Sequence, residues 1–133
     1  MDKPLSTPMD KNKQREVVQA LIEFLPKSSV LFELEAVKPY ECDALPAYRQ
    51  LPMVVAIPEN EHEVQSILRT CHRLGVIVVA RGAGTGLSGG AMPCDQGVLL
   101  SLAKMMRIKS IDPHARTATV EPGVRNLAIS EAA

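Results

Sequence analysis

Arg81-Gly82-Ala83-Gly84-Thr85-Gly86-Leu87-Ser88-Gly89-Gly90 sets five glycines into ten residues, directly after the apolar run Val76 to Ala80. Glycine has no Cβ atom, so such a loop reaches positive φ and turns its amide N–H groups onto an anion at backbone distance. A loop that only joins two elements has little use for that density of glycine after a strand. The run therefore reads as a cradle in which amides, not cations, hold a phosphate group.

Upstream, prolines 52 and 58 bracket Met53 to Ile57, a continuous apolar run that suits a strand buried on both faces. Asn60 then caps a helix, with Glu63 reaching back from the third position. Val64, Ile67, Leu68, Cys71 and Leu74 form one stripe, and Gly75 ends it. Val76 to Ala80 follows as a second buried strand. Strand, helix and strand with short joints predict a βαβ unit with parallel strands and a right-handed crossover.

Downstream come Val98 to Leu102, then Ile108 to Ile111 and Thr117 to Glu121, the last two joined as a hairpin around Asp112, Pro113 and His114. Val124, Leu127 and Ala128 open another helix, which breaks off at Ala133 after little more than two turns and without a closing glycine. A truncated chain is the expectation. At the other end Thr7, Pro8 and Asp10 resemble a helix start, and Val17, Val18, Leu21, Ile22 and Leu25 repeat at helical spacing until Pro26. Residues 27–51 are irregular, with a short strand at Val30 to Phe32. The fold class is thus α+β. Residues 1–51 form an N-terminal helix and connector, and residues 52–133 form a βαβ unit followed by antiparallel strands.

Two nucleotide motifs overlap the loop, and context excludes both. Gly84, Gly86 and Gly89 match GxGxxG, but the dinucleotide fingerprint needs a helix opening at the third glycine and an acid after the next strand. Here Gly90, Ala91, Met92 and Pro93 lead to the strand Val98 to Leu102, followed by Ala103 and Lys104. Gly84 and Gly89 also have P-loop separation, yet Gly90 stands where the phosphate-binding lysine belongs. A Rossmann site and nucleotide hydrolysis both fall away.

Composition narrows the field further. Fifteen basic residues balance fifteen acidic ones and no Lys/Arg run exceeds two, which argues against a nucleic-acid partner or an anionic membrane surface. No apolar run approaches membrane-spanning length and the start of the chain is polar, so a cytoplasmic location is expected. Aromatic residues make up only 3% and Trp is absent, so the core must be aliphatic. Cys42, Cys71 and Cys94 lie far apart without ligand spacing, and read as free thiols, not metal ligands. His62, His72 and His114 read as solvent-facing.

Taken together, Pro52-Met53-Val54-Val55-Ala56-Ile57-Pro58, the run Arg81 to Gly89 and Val120-Glu121-Pro122-Gly123-Val124 resemble the FAD-binding domain of the vanillyl-alcohol-oxidase (PCMH-type) flavoproteins. The likeness covers about residues 52–133, and Tyr40 to Asp43 more loosely. The wording of the loop is most similar to the branch that oxidises D-2-hydroxy acids such as glycolate and D-lactate.

The resemblance implies that amides of Gly82, Ala83, Gly84, Thr85, Gly86, Leu87, Ser88 and Gly89 contact the FAD diphosphate, with Arg81 at the head of the run and hydroxyl donors from Thr85 and Ser88. Relatives that attach flavin covalently often carry a His where Thr85 stands, so noncovalent FAD is implied here. Glu121, Pro122 and Gly123 either border the cofactor or are simply a strand leaving its hairpin through a proline turn. Substrate-binding and catalytic residues are implied to lie in a separate substrate domain, so none is assigned to this chain, and it is expected to be inactive alone. Likeness to the glycolate-oxidising group implies a small-molecule 2-hydroxy-acid substrate, partner subunits of a glycolate oxidase complex, and contact with the inner membrane only through them. A stand-alone flavin or nucleotide carrier without catalysis is the reading from a different class.

Overall fold

In the computed structural model, which describes residues 10–40, 50–83 and 96–133, a mixed four-stranded sheet is covered by helices and followed by a separate hairpin. Asp10 opens the first helix, α1 (Lys11–Leu21), by accepting from the amides of Asn12 and Lys13 at 2.9 and 3.2 Å. Thr7 and Pro8, the rest of the expected start signal, lie outside the described residues. A two-residue strand, β1 (Val30–Leu31), and a short helix, α2 (Leu34–Val37), follow, so the connector carries slightly more structure than its prolines suggest.

The remaining elements are β2 (Val54–Ala56), α3 (Glu61–Leu74), β3 (Ile77–Arg81), β4 (Gly97–Ser101), β5 (Ile108–Asp112), β6 (Thr117–Val120) and α4 (Asn126–Ala132). Helix α3 has the ends its sequence demands. Asn60 Oδ1 accepts from the Glu63 amide at 2.9 Å, while the Glu63 carboxylate accepts from the Glu59 amide at 2.9 Å, one residue earlier than a strict capping box. Gly75 takes φ 67° and closes the helix by donating to the Cys71 and His72 carbonyls.

The sheet order is β1-β2-β4-β3. Strands β2 and β3 are parallel, as the βαβ reading requires, but they are not neighbours. Strand β4 lies between them, parallel to both, with Val54, Val55 and Ala56 beside Val98, Leu99 and Leu100, and Ile77 to Arg81 beside Gly97 to Ser101. This corrects two expectations. The run Val98 to Leu102 belongs to the parallel layer and not to the antiparallel set, which consists of the β5–β6 hairpin and the β1–β2 pair. Strand β3 is not a buried strand either: Ile77 is 56% exposed, whereas all five residues of β4 are buried.

Packing explains the order. A strand buried on both faces must be apolar without alternation, a demand that Val98-Leu99-Leu100 meets in the central place. Gly97 permits the insertion, because a Cβ there would lie 2.7 Å from the Ile77 carbonyl oxygen. Alternate residues then serve opposite faces of the sheet. Val54, Ala56, Val98 and Leu100 pack with Val17 and Leu21 of α1 and with Ile67 and Cys71 of α3. Val55 and Leu99 pack on the other side with Val37 of α2 and Ile57.

Polar contacts tie α1 to the same layer. Lys13 Nζ donates to the Leu74 carbonyl at the end of α3 (2.6 Å), and Gln14 Nε2 donates to the Phe32 and Met53 carbonyls at 3.1 and 3.0 Å. His62, His72 and His114 are exposed, in line with the sequence reading. Among the described residues no group of three or more His, Cys, Asp or Glu gathers as a metal site, and no helix is long and apolar enough to cross a membrane.

Cys71 is a free, buried thiol, and Cys42 and Cys94 lie outside the described residues. Burial pushes the Cys71 thiol up from 9.0 to about 11, because the thiolate would lose its hydration in the aliphatic core. Its folded-state value is thus raised above the unfolded one. The stabilisation is complete below about pH 9 and is lost as pH climbs towards 11. We expect the thermal midpoint to fall more steeply between pH 8.5 and 10.5 in the wild type than in Cys71→Val, as read by circular dichroism. Parallel pH profiles would contradict this.

Candidate cofactor-binding site

Parallel strands point their carboxyl ends to one edge, and that edge is where ligands of such sheets bind. Here it is formed by the ends of β2, β4 and β3, the last two in register with Arg81 beside Ser101 and the Leu102 amide donating to the Arg81 carbonyl at 2.8 Å. The glycine-rich run leaves from this edge. It must return to Gly97 at the opposite end of the adjacent strand, and a connection between parallel neighbours needs about a dozen residues or more. Residues 82–96 are that crossover.

Past β4 the chain turns, with the Met105 amide donating to the Leu102 carbonyl at 3.0 Å, and the segment leaving β6 packs onto this turn. Gly123 donates to the Met105 carbonyl at 2.8 Å. A Cβ on Gly123 would sit 2.4 Å from the Leu102 oxygen and 2.8 Å from that of Met105. The neighbouring Pro122 carbonyl lies against Gly82, where a Cβ would be 2.4 Å from its oxygen. Two segments that stand forty residues apart in the sequence therefore meet backbone to backbone, and each contact requires glycine on one side.

The carboxylates nearby are occupied. Glu121 accepts from the Arg107 amide at 3.0 Å, its carboxylate lies 3.5 Å from Arg107 Nε, and its own amide donates to the Arg107 carbonyl at 2.8 Å. Glu59 lies 3.6 Å from Lys104 Nζ. Each of these two acids faces a cation. Pro122 thus abuts the start of the loop, while Glu121 pairs with Arg107 and Gly123 packs on the turn after β4.

Arg81 sits at the mouth with its side chain directed inward. It is only 8% exposed, its guanidinium donates to the Tyr40 carbonyl at 3.4 Å, and Cζ lies 6.0 Å from the centre of the Tyr40 ring. Gly82 and Ala83 are half-buried beyond it. Gly84, Thr85, Gly86, Leu87, Ser88 and Gly89, the remainder of the expected cradle, lie outside the described residues. Sequence reasoning did not anticipate the seat of Gly82 on Pro122 or the Arg81–Tyr40 contact. The signal was present in the isolated Tyr40 ahead of the first proline-bounded strand, in a chain that has only two tyrosines.

A parallel layer, a glycine-rich crossover leaving its carboxyl edge and a hairpin segment folded back on that crossover define a PCMH-type cofactor-binding unit. The chain belongs to the FAD binding domain family, which matches residues 52–133. It is 53% identical over 116 residues to glycolate oxidase subunit GlcD of Escherichia coli (strain K12), an alignment covering 87% of this chain and 23% of that protein. It is 40% identical over 80 residues to D-lactate dehydrogenase of Archaeoglobus fulgidus, covering 60% and 18%.

Among solved structures, 4-ethylphenol oxidase from Gulosibacter chungangensis superposes with a TM-score of 0.80 at 27% identity, over 96% of this chain and 26% of that one. p-Cresol methylhydroxylase with substrate bound gives 0.78 at 23% identity, over 93% and 25%, and shows the shared fold. The chain spans about a quarter or less of the length of these relatives.

The backbone contacts generate an expectation of their own. Gly82→Ala and Gly123→Ala each drive a methyl group into a carbonyl that has no side chain to move aside, at a cost of about 1–3 kcal/mol. At Gly75 a Cβ would meet nothing within 4 Å, so Gly75→Ala carries only the torsional cost of φ 67°, about 1–2 kcal/mol. Urea midpoints should fall for all three. Only Gly82→Ala and Gly123→Ala should also weaken cofactor binding.

Proposed function

We propose that this chain is the cofactor-binding part of a flavin-dependent oxidoreductase that converts glycolate, or another D-2-hydroxy acid, to the 2-oxo acid. The observation that carries this reading is the seat of Gly82 on the Pro122 carbonyl, which joins two parts of the flavoprotein signature at the edge where the loop departs. The 53% identity to a protein named as a glycolate oxidase subunit supports the substrate class.

The roles follow from residue chemistry. Amides from Gly82 to Gly89 hold the FAD diphosphate, Thr85 and Ser88 add hydroxyl donors, and the Glu121-Pro122-Gly123 turn fixes the start of the loop. Thr85 has no nucleophilic ring nitrogen, so no histidyl–flavin bond forms at this position, in keeping with noncovalent FAD. The chemistry FAD supplies when bound is acceptance of a hydride from the alcohol carbon, while the protein contributes position and electrostatics. Residues 52–133 act as the first part of the FAD-binding domain. Residues 1–51 brace it through α1, whose Val17 and Leu21 share the core of the sheet.

Substrate groups and the proton-accepting base come from outside these 133 residues, and the chain alone turns over no substrate. Its setting is the cytoplasm, with partner subunits of a glycolate oxidase complex and any contact with the inner membrane made through them. Oxidation of D-lactate is the second reading, favoured by the likeness to a protein of that name.

Full-length protein tests each part. Absorbance in the flavin bands should be present or restored by added FAD, and acid precipitation should release all the flavin to the supernatant. Anaerobic glycolate should bleach those bands faster than D-lactate; the reverse order selects the second reading, and bleaching by no 2-hydroxy acid leaves a carrier without catalysis. A colourless protein that ignores FAD overturns the reading altogether. Gly84→Val should weaken FAD binding at least about tenfold while the far-ultraviolet circular dichroism is retained.

A further inference from the structure

We propose that Arg81 is a positioning residue, whose guanidinium locks the end of β3 to Tyr40 and so fixes where the diphosphate loop begins. The inference rests on the FAD reading above and goes beyond it, because it assigns affinity for the cofactor to a side-chain pair that need not touch it. An arginine placed to grip a diphosphate would extend its guanidinium out of the carboxyl edge. Arg81 instead is 8% exposed and turned towards the short helical segment that ends at Tyr40.

Both halves of the contact are anchored. Tyr40 packs against the cluster of Val37, Val55, Ile57 and Leu99, on the side of the sheet covered by α2. Arg81 is held through its backbone, paired with Ser101 and bonded from the Leu102 amide. A guanidinium spreads its donors around a delocalised charge, so one nitrogen donates to the Tyr40 carbonyl at 3.4 Å while Cζ stands 6.0 Å from the centre of the same residue's ring. A lysine ammonium has the charge but not that spread. Immediately beyond, Gly82 is pinned by the Pro122 carbonyl, so the first residues of the crossover are clamped by a side chain on one flank and by backbone on the other.

The test compares Arg81→Lys, Arg81→Met, Tyr40→Leu and the Arg81→Met/Tyr40→Leu double variant in the full-length protein. FAD affinity is read from quenching of flavin fluorescence at several salt concentrations, with the thermal midpoint of each apoprotein measured alongside. Arg81→Met should weaken FAD about tenfold, Tyr40→Leu, which keeps the carbonyl acceptor and removes only the ring, should weaken it less, and the double variant should be no weaker than Arg81→Met alone, because the two act as one unit. Arg81→Lys should weaken binding as much as Arg81→Met does, and the salt dependence of FAD binding should be unchanged in all four.

Rescue by lysine, additive losses in the double variant, or a reduced salt dependence in Arg81→Met would place the guanidinium on the diphosphate and overturn the proposal. So would unchanged affinity in both single variants. Should Arg81→Met fail to fold, Arg81→Lys still decides, since full affinity with lysine defeats the proposal. A wild-type protein that binds no FAD marks failure of the underlying reading instead, and is seen before any variant is made.

Discussion

The placement of β4 between β2 and β3 is the constraint on which the other features rest. Central position buries all five of its residues and binds it by hydrogen bonds on both flanks, so it unites the two strands that α3 connects. It also dictates a long return. A strand parallel to its neighbour cannot be entered through a tight turn, so the chain must travel from the carboxyl end of β3 to the start of β4, and the glycine-rich run falls within that path. The segment proposed to hold the cofactor is thus also the one that topology requires to be long.

Local chemistry made much of this legible from sequence. Asn60, Glu63 and Gly75 mark the ends of α3 through side-chain and αL geometry that acts within four residues. The proline-bounded apolar run marks β2, and Asp112 marks the hairpin turn, where its carboxylate accepts from the amides of His114 and Ala115. Strand order was not legible. An apolar run announces that a strand is buried but not which strands flank it, and here Gly97 accommodates a close backbone approach to Ile77. The exposure of β3 has the same origin, since β4 took the inner place that its Val and Ile content suggested for itself.

The site was legible as composition and only partly as geometry. Glycine spacing indicates where amides are bare, and the described residues show that Gly82 is bare to accommodate Pro122. Contacts between residues distant in sequence, such as Gly82 with Pro122 or Arg81 with Tyr40, leave no periodic trace and appear only once the sheet has formed. These contacts lie in or beside the region, residues 52–133, that matches the FAD binding domain family.

The aliphatic core has an optical consequence. With no Trp and only Tyr40 and Tyr48 as phenols, emission from this part of the molecule is that of tyrosine alone, and one of the two rings lies beneath the guanidinium at the mouth of the loop. Because only two rings emit, Tyr48→Phe would leave Tyr40 as the single phenol of this unit, beside Arg81 at the mouth of the loop. Movements of the loop's anchor can be followed in this unit by its own fluorescence, without any label.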